Sequence, residues 1–370
     1  MRFKKINILV MPTDSCNMKC KYCFHECFNT SSERMTLETV DRLLEVVCNS
    51  CSSVQFVWHG GEPLLMGYDF YRYVFEKQKM YPRTKTRNSM QSNLTLLTDK
   101  MADLLCDNSV GVGTSFDGIL NEELRGNSYA ILEGRRKILQ RGHSCGVIMV
   151  VSNQNINTLL DSYELFKKMN INYGMNTYVS RGAEYDRPFD LDVENAIMKF
   201  KDFFDIWIDD KDCSIHVDYY ERILQYISSG KKTVCKNTSC IGRWMGVRYD
   251  GKIVPCNRCF PNEYSYGNIW DYNSIFEAFD SPGAIKLIGE AIERRKKCLS
   301  CEAYGLCEGG CNNVAYNEGG IKSNGGNTCV IFREIYRYIN EHVKKNGYLG
   351  IRNPVARKIF RKRDKHFGNL

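Results

Sequence analysis

Three cysteines near the start of the chain are the residues that most clearly indicate chemistry. Cys16, Cys20 and Cys23 are spaced Cys-x3-Cys-x2-Cys and directly follow a short apolar run. Three thiolates this close together can bind one face of an iron–sulfur cube, which needs four ligands. Since no fourth cysteine stands at a matching local spacing, one iron would keep an open position, by the logic of catalytic zinc sites. A structural zinc site or a chance grouping is the alternative.

A second group of cysteines lies in the last 140 residues. These eight residues are Cys235, Cys240, Cys256, Cys298, Cys301, Cys307, Cys311 and Cys329. The chain has 18 cysteines in 370 residues and no export signal, so we expect them to bind metal rather than to form disulfides. A zinc ribbon is the alternative, but eight ligands would then need two zinc sites, and the N-terminal group would stay unexplained.

The elements that would position these cysteines can be predicted from periodicity. Short apolar runs alternate with amphipathic stretches up to about residue 180, which predicts strands that alternate with helices. The strands are predicted at 6–12, 53–60, 89–93, 110–117, 145–152 and 173–180, and helices at 36–50, 128–141 and 155–169. Six strand–helix repeats predict an α/β fold with a parallel sheet wound as an open or closed barrel. In such barrels chemistry lies on loops at the carboxyl ends of the strands, where the first cysteine group stands.

The remainder of the chain differs in pattern. Residues 190–229 are helical in periodicity, whereas 230–329 have little periodicity and nine cysteines, so we expect bound ligands rather than a large apolar core to hold that region. A final helix is predicted at 330–345. We therefore expect a barrel with connecting helices over 1–229, a cysteine-rich domain over 230–346 and a basic tail over 347–370.

Further motifs follow the predicted strands: Gly60-Gly61-Glu62-Pro63, Gln91-Ser92-Asn93, Ser115-x-Asp117 and Arg125. Together with the cysteine loop they resemble the radical S-adenosylmethionine (SAM) enzymes. Over about residues 6–345 the chain resembles the branch of anaerobic sulfatase maturases and ribosomal-peptide maturases. The resemblance implies a partial (β/α)6 barrel of the TIM type, with a [4Fe–4S] cluster on Cys16, Cys20 and Cys23. It implies that SAM binds at Tyr22, Gly60, Gly61, Glu62, Gln91, Asn93, Ser115, Asp117 and Arg125.

The C-terminal cysteines resemble the SPASM extension of that superfamily, which carries two auxiliary [4Fe–4S] clusters. By this resemblance the first auxiliary cluster binds Cys235, Cys240, Cys256 and Cys311. The second binds Cys298, Cys301, Cys307 and Cys329. The predicted cofactors are therefore three [4Fe–4S] clusters and SAM, which account for eleven of the eighteen cysteines.

Four residues are candidates for contact with the substrate. Asn257 stands where sulfatase maturases carry an Asp that acts as a base, and an amide cannot take a proton near neutral pH, so we expect a different reaction. Cys259 is interpreted as a hydrogen donor to a substrate radical, an alternative cluster ligand or a structural thiol. His25, past the cysteine loop, and His59, before the glycine turn, are expected to face the substrate.

Charge and composition limit the other function classes. The net charge is +8, but residues 352–365 alone contribute +6, so the body of the chain is nearly neutral. The tail is interpreted as a solvated amphipathic helix rather than a nucleic-acid-binding segment. No apolar stretch is long enough to span a membrane and no signal peptide precedes the first strand, so a cytoplasmic location is predicted.

The resemblance predicts an enzyme: a peptide-modifying oxidoreductase whose 5′-deoxyadenosyl radical abstracts hydrogen from a peptide residue, giving a cross-link or an epimerised centre. The alternatives are a dehydrogenase of the sulfatase-maturase type and a non-catalytic iron–sulfur electron carrier, which would not need Gly61, Ser115 and Arg125. The expected partners are a peptide or protein substrate and an electron donor such as flavodoxin or ferredoxin. Since only fifteen residues precede Cys16, we expect no fused leader-binding module, so either a separate protein supplies one or the barrel and cluster domain recognise the substrate directly.

Overall fold

The computed structural model describes residues 5–24, 33–180, 188–232, 240–258, 260–347 and 350–367, with side chains up to residue 360. The strands are β1 Lys5–Met11, β2 Ser53–Trp58, β3 Lys85–Gln91, β4 Gly111–Ser115, β5 Cys145–Val151, β6 Tyr173–Thr177, β7 Trp244–Arg248 and β8 Ile253–Val254. The helices of the first half are α1 Leu37–Cys48, α2 Gly67–Gln78, α3 Asp99–Asp107, α4 Asn121–Leu124, α5 Ser128–Gln140 and α6 Leu159–Lys168. Those of the second half are α7 Val193–Asp209, α8 Asp218–Ser229, α9 Pro282–Cys298, α10 Tyr304–Cys307, α11 Asn312–Asn317, α12 Asn327–Asn346 and α13 Pro354–Phe367.

The chain divides into two compact units. The first comprises Met1–Ser115, Glu122–Cys145 and Cys240–Gly289, and the second comprises Phe116–Asn121, Gly146–Ser239 and Glu290–Leu370. The predicted domain limits at residues 229 and 346 stay a prediction, since these units are defined by contacts and are not continuous in sequence.

The first unit contains a sheet in the order β4-β3-β2-β1-β7-β8. β1 to β4 and β7 are parallel, and only the short β8 runs antiparallel, next to β7. The carboxyl ends therefore share one edge: Val10 lies opposite Trp58, and Trp58 lies opposite Met90. This edge brings together the segments that follow β1, β2, β3 and β4.

Apolar side chains fix the strands and the first helix. In β2, Val54, Phe56 and Trp58 are buried and alternate with partly exposed residues, as expected for a strand with one face in the core. In α1, buried residues recur at helical spacing, and Thr36 caps the helix by accepting a hydrogen bond from the Thr39 backbone N–H. The predicted start of this helix at Thr36 is confirmed.

The second unit has an aromatic core. β5 and β6 pair in parallel, and α7 buries Phe203, Phe204 and Trp207. The Tyr220 ring of α8 lies 5.3 to 5.4 Å from these three rings. α12 lies against α7, where the His342 ring meets the Phe204 ring edge-on at 5.3 Å.

The C-terminal segment differs from the solvated tail that the sequence predicted. Residues 354–367 are helical, as expected, but Ile351, Val355, Ala356 and Phe360 are buried. Asn353 anchors this helix: its Oδ1 accepts from two backbone N–H groups of the first turn, and its Nδ2 donates to the Trp207 carbonyl at 2.7 Å. The helix α13 also has an apolar face, which packs on α8 and which the charge pattern did not predict.

The predicted α/β fold with a parallel sheet is confirmed, and each of the six predicted strands is present. β7 and the helix over Pro282–Cys298 were missed, because they lie in the region whose periodicity is weak. In the described part of the chain no helix is long and apolar enough to cross a membrane.

Candidate functional site

The first cysteine group lies on the loop directly after β1, at the carboxyl edge of the parallel strands. Cys16 is exposed, whereas Cys20 and Cys23 are partly buried. The Cys23 backbone N–H donates to the Cys20 carbonyl at 3.1 Å, and the Lys21 N–H donates to the Leu124 carbonyl at 2.9 Å. The loop is thus tied to the segment that follows β4.

The sulfur atoms of this loop receive N–H groups. Cys16 Sγ accepts from the Met18 backbone N–H at 3.4 Å and from Asn93 Nδ2 at 3.9 Å, and Cys20 Sγ accepts from Arg125 Nη1 at 3.8 Å. Hydrogen bonds of this kind to cysteine sulfur tune iron–sulfur clusters.

The protonation of Cys16 also fits a metal ligand. Desolvation, with smaller contributions from Glu62 and the neighbouring cysteines, raises the pKa of this thiol to about 11, although the residue as a whole is exposed. Near neutral pH the thiol therefore stays protonated unless a cation replaces its proton. Among the described residues, no group of three His, Cys, Asp or Glu side chains is arranged to hold a single metal ion.

The glycine turn after β2 packs against the backbone of the cysteine loop. A Cβ on Gly60, whose φ is +110°, would meet the Thr13 carbonyl oxygen at 2.5 Å, and a Cβ on Gly61 would overlap the Ser15 carbonyl. The Gly61 N–H donates to the Thr13 carbonyl at 3.0 Å and the Glu62 N–H donates to the Ser15 carbonyl at 2.8 Å. Only glycine allows this approach, and it fixes the backbone immediately before Cys16.

Glu62 joins this turn to the end of β3. Its carboxylate is buried and accepts from the Leu64 N–H at 2.9 Å, the Ser92 hydroxyl at 2.7 Å and the Asn93 N–H at 2.8 Å. Desolvation raises the pKa of Glu62 to about 6, against the opposing effect of these hydrogen bonds. Both carboxylate oxygens are engaged within the protein, so Glu62 positions Asn93, whose amide reaches Cys16.

The other residues predicted to bind SAM fall into two groups. Gln91 Nε2 donates to Ser115 Oγ at 3.0 Å where β3 and β4 end, and the Arg125 guanidinium lies 5.1 Å from the centre of the Tyr22 ring. Asp117 belongs to the second unit and is fully buried; its Oδ1 accepts from the Val150 N–H at 2.9 Å. This hydrogen bond ties Asp117 to the backbone of β5 within that unit.

His59 lies at the start of the glycine turn. Desolvation, with the Arg258 cation as a smaller contribution, lowers the pKa of His59 to about 4. Because Nδ1 accepts from the Gly60 N–H at 2.8 Å, the neutral ring carries its proton on Nε2. The Phe24 ring lies 6.4 Å from His59 and 5.4 Å from the Arg258 guanidinium. His59 can therefore donate a hydrogen bond but is uncharged near neutral pH.

Asn257 and Arg258 follow Cys256. Asn257 is half-buried, and its side chain forms no hydrogen bond with any residue that the structure describes. The Arg258 backbone N–H donates to Cys256 Sγ at 3.4 Å. Arg258 was not predicted as a site residue, although it directly follows one.

A buried ion pair beside the cysteine loop was also missed. Arg248, at the end of β7, donates from Nη2 to Asp14 Oδ2 at 2.5 Å, and Asp14 is almost fully buried. Desolvation raises the pKa of Asp14, whereas Arg248 lowers it. The two residues are separated by 234 positions, so no local pattern connects them.

Two of the predicted ligands of the first auxiliary cluster come together in the first unit. Cys240 and Cys256 are both partly buried and both act electrostatically on Tyr266, whose pKa is raised mainly by desolvation. Cys311 belongs to the second unit. Cys235 lies outside the described residues.

The four predicted ligands of the second auxiliary cluster share one cavity. Cys298, Cys301, Cys307 and Cys329 line a space of about 80 Å³ in the second unit, and Cys311 also contributes to its wall. Desolvation raises the pKa of Cys307 to about 12, and the other three thiols of the set raise it further. Several desolvated thiols around one cavity fit a thiolate-ligated cluster, because bound metal removes their protons.

Comparison with known proteins decides the family. The sequence profile of the radical SAM superfamily matches residues 10–166, the stretch that carries the cysteine loop and the strand-end residues. Residues 10–166 form a radical SAM domain. Over 361 residues the chain is 25% identical to a cysteine-type anaerobic sulfatase-maturating enzyme of Clostridium perfringens. The aligned residues make up 90% of this chain and 96% of the relative.

Two solved structures share the fold of this radical SAM enzyme. anSMEcpe, with bound AdoMet and a Cp18Cys peptide, has a TM-score of 0.81 at 22% identity and covers 92% of this chain and 99% of its own. Streptococcus suis SuiB, bound to its precursor peptide SuiA, has a TM-score of 0.62 at 17% identity and covers 87% of this chain and 75% of its own. The predicted fold is confirmed by these structures, and the predicted superfamily by the profile match over residues 10–166.

Not every predicted site residue of this radical SAM enzyme can be placed. His25, Cys235 and Cys259 lie outside the described residues, so their expected roles stay predictions. Cys48, Cys106 and Cys145, which the sequence separates from the ligand sets, are buried. The individual ligand and SAM-binding roles are developed as proposals below.

Proposed function

We propose that this radical SAM enzyme modifies a residue of a peptide or protein, either by forming a cross-link or by inverting a Cα centre. One observation carries the proposal: the cysteine loop, the glycine turn and the polar residues Asn93 and Ser115 meet at the carboxyl edge of the parallel strands. An iron–sulfur electron carrier would need the cysteines but not a turn that excludes every residue except glycine beside them.

In this proposal Cys16, Cys20 and Cys23 hold a [4Fe–4S] cluster, and the strand-end residues hold SAM. Cluster and SAM together supply a 5′-deoxyadenosyl radical that abstracts a hydrogen atom. The protein's own part is positioning: Glu62 fixes Asn93, Asn93 donates toward Cys16, and Arg125 donates toward Cys20. Water exclusion by the closely packed turn would protect the reactive species.

The eight C-terminal cysteines are proposed to hold two auxiliary clusters of a SPASM domain. Support comes from the shared environment of Cys240 and Cys256 and from the cavity lined by the second set. The assignment of Cys235 and Cys311 to the first cluster follows the resemblance. An electron donor such as flavodoxin or ferredoxin would reduce the enzyme, and the peptide would be recognised either directly by the barrel and cluster domain or through a separate leader-binding protein.

The substrate class follows from the relatives and from one departure. The relatives in the comparison are named for maturing sulfatases, and the solved complexes contain peptides, which favours a peptide substrate. Asn257, however, stands where sulfatase maturases carry an Asp base, and its amide cannot accept a proton. Dehydrogenation of a sulfatase residue by that base is therefore the alternative, and cross-linking or epimerisation is the main proposal.

The decisive experiment measures iron and SAM cleavage in anaerobically reconstituted protein. We expect about twelve irons per chain and reductive formation of 5′-deoxyadenosine. Replacing Cys16, Cys20 and Cys23 by Ala should remove about a third of the iron and all SAM cleavage. Cys106→Ala, which changes a buried cysteine outside the ligand sets, is the matched control and should leave both unchanged. Tightly bound zinc without iron–sulfur absorption would overturn the proposal.

A second experiment separates the possible reactions. The enzyme is incubated in deuterated water with a sulfatase-type peptide and, separately, with a set of candidate precursor peptides. An epimerase should place deuterium at one Cα, a cross-linking enzyme should lower the peptide mass by two hydrogens, and Cys259→Ala should stall only the former. Rapid formation of formylglycine by the wild-type enzyme would instead establish the sulfatase-type reaction, with a base other than residue 257.

A further inference from the structure

A buried arginine stands beside the cavity of the second cysteine set. Arg294 lies on α9, one turn before Cys298, and is 2% exposed. Its side chain lines the same cavity as Cys298, Cys301, Cys307 and Cys329. Neither the predicted site nor the proposed function gives this residue a task.

The guanidinium binds the segment between Cys307 and Cys329, hereafter the ligand loop. Nε donates to the Gly309 carbonyl at 2.8 Å, Nη1 to the Ile321 carbonyl at 2.5 Å, and Nη2 to Asn312 Oδ1 at 2.6 Å and, more weakly, to the Gly310 carbonyl at 3.4 Å. All four acceptors lie between Cys307 and Cys329. One side chain therefore links the helix of Cys298 to the loop between the later ligands.

All of these partners are neutral. Within the described part of the chain Arg294 has no carboxylate partner, and a buried cation without a counter-charge is costly. Desolvation lowers the pKa of Arg294, and the ionisable groups that oppose this and favour its charged form are Cys311, Cys298 and Cys307. Its charge thus lacks a counter-ion unless the cysteines are ionised, as they are when they bind iron.

We infer that Arg294 is a positioning residue for the second auxiliary cluster: it holds the ligand loop in place and supplies a fixed positive charge that offsets the negative charge of the thiolate-bound cluster. This inference rests on the proposed function. One-electron reduction makes the cluster more negative, so a nearby cation favours the reduced form. Removal of the charge should lower the reduction potential of that cluster.

Two substitutions separate the two parts of this role. Arg294→Lys keeps the charge but cannot reproduce the planar fork of donors. Arg294→Gln removes the charge and retains a short polar group. Lys296→Gln is the matched control, since it removes a positive charge two residues away on the exposed side of the same helix.

The experiment uses anaerobically reconstituted full-length enzyme. Iron content is measured before and after challenge with a chelator, and the clusters are titrated by electron paramagnetic resonance. A Cys301→Ala variant identifies the signal of the second auxiliary cluster. Arg294→Lys should lose up to a third of its iron to the chelator while the potential stays near that of wild type. Arg294→Gln should lower the reduced-to-oxidised ratio of this cluster at least tenfold at a given potential, which is 59 mV for one electron.

The outcomes distinguish this inference from the proposed function. If wild-type enzyme lacks about twelve irons, the proposed function fails and the inference falls with it. If wild type is fully loaded but Arg294→Lys and Arg294→Gln match Lys296→Gln in iron retention and potential, only the inference is overturned. Should Arg294→Gln not fold, the chelator result for Arg294→Lys decides: wild-type retention of iron contradicts the positioning role.

Discussion

Replacing Glu62 by Gln should stabilise the fold and impair the site at the same time. The Glu62 carboxylate is buried and accepts three hydrogen bonds from neutral donors: the N–H groups of Leu64 and Asn93 and the Ser92 hydroxyl. Gln has nearly the same shape and no charge. Its amide nitrogen, however, would replace either Oε1, which accepts from the Leu64 N–H and the Ser92 hydroxyl, or Oε2, which accepts from the Asn93 N–H, and it cannot accept from these N–H groups.

The magnitude follows from the titration of Glu62. Its pKa rises from 4.5 to about 6, chiefly through desolvation. One pKa unit is worth about 1.4 kcal/mol, so the ionised group lowers stability by about 2 kcal/mol relative to a neutral one. Because folding raises the pKa of Glu62, the protonated carboxyl group favours the folded state. This contribution to the stability of the fold is fully present below pH 4.5 and is lost as pH increases through about 6. Near neutral pH, Glu62→Gln should therefore gain about 2 kcal/mol from loss of the charge and lose about 1 kcal/mol for the hydrogen bond that its amide nitrogen cannot accept, which leaves a net stabilisation of about 1 kcal/mol.

The assay combines anaerobic urea unfolding at several pH values with 5′-deoxyadenosine formation. The stability advantage of Glu62→Gln should shrink as pH falls below about 6, while SAM cleavage at neutral pH should fall at least tenfold because Asn93 is no longer held toward Cys16. Glu76→Gln, at an exposed surface pair on α2, controls for the loss of a carboxylate. If Glu62→Gln is less stable than wild type at neutral pH, the hydrogen bonds outweigh desolvation and the reasoning is refuted.

Two further predictions concern backbone approach and the C-terminal helix. Gly61→Ala should lower the free energy of unfolding by about 1–3 kcal/mol and abolish SAM cleavage, because its Cβ overlaps the Ser15 carbonyl. Gly111→Ala is the control: its Cβ meets nothing closer than 3.6 Å, so it should have a much smaller effect on thermal unfolding. Asn353→Ala should release α13, because it removes the cap and the bond to the Trp207 carbonyl, and hydrogen exchange should show loss of protection after residue 350 without loss of iron.

The parallel sheet was predictable because each strand carries its own signal. β2, for example, alternates buried and half-exposed residues, and amphipathic helices such as α1 separate the strands. The helix over Pro282–Cys298 gave a weaker signal, since Ile285 and Ile292 lie on its exposed face and mix apolar residues with the charged ones. The basic tail was interpreted as solvated because it contains many charged residues and few apolar ones, although those few are buried.

The residues of the candidate site were predictable by type, but their connections were not. Cysteine spacing indicates metal binding at any position in a fold, so Cys16 and its neighbours could be selected from the sequence. The pairing of Asp14 with Arg248 depends on β1 lying beside β7, a contact between segments that no local pattern relates. Glu62 was predicted to bind SAM, yet the structure shows that its carboxylate is engaged by the protein itself.

Glu62 and Arg294 meet the same structural need with opposite charges. The first cysteine group lies on a loop, and the cysteines of the second group lie on separate short segments and helix ends, so both groups need support from outside the ligands. The carboxylate of Glu62 accepts hydrogen bonds from three donors near the first group, whereas the guanidinium of Arg294 donates to four acceptors near the second. The choice has a consequence for pH: Glu62 titrates at about 6, whereas arginine keeps its charge throughout the physiological range. Support of the first group should therefore weaken in mild acid, and support of the second should not.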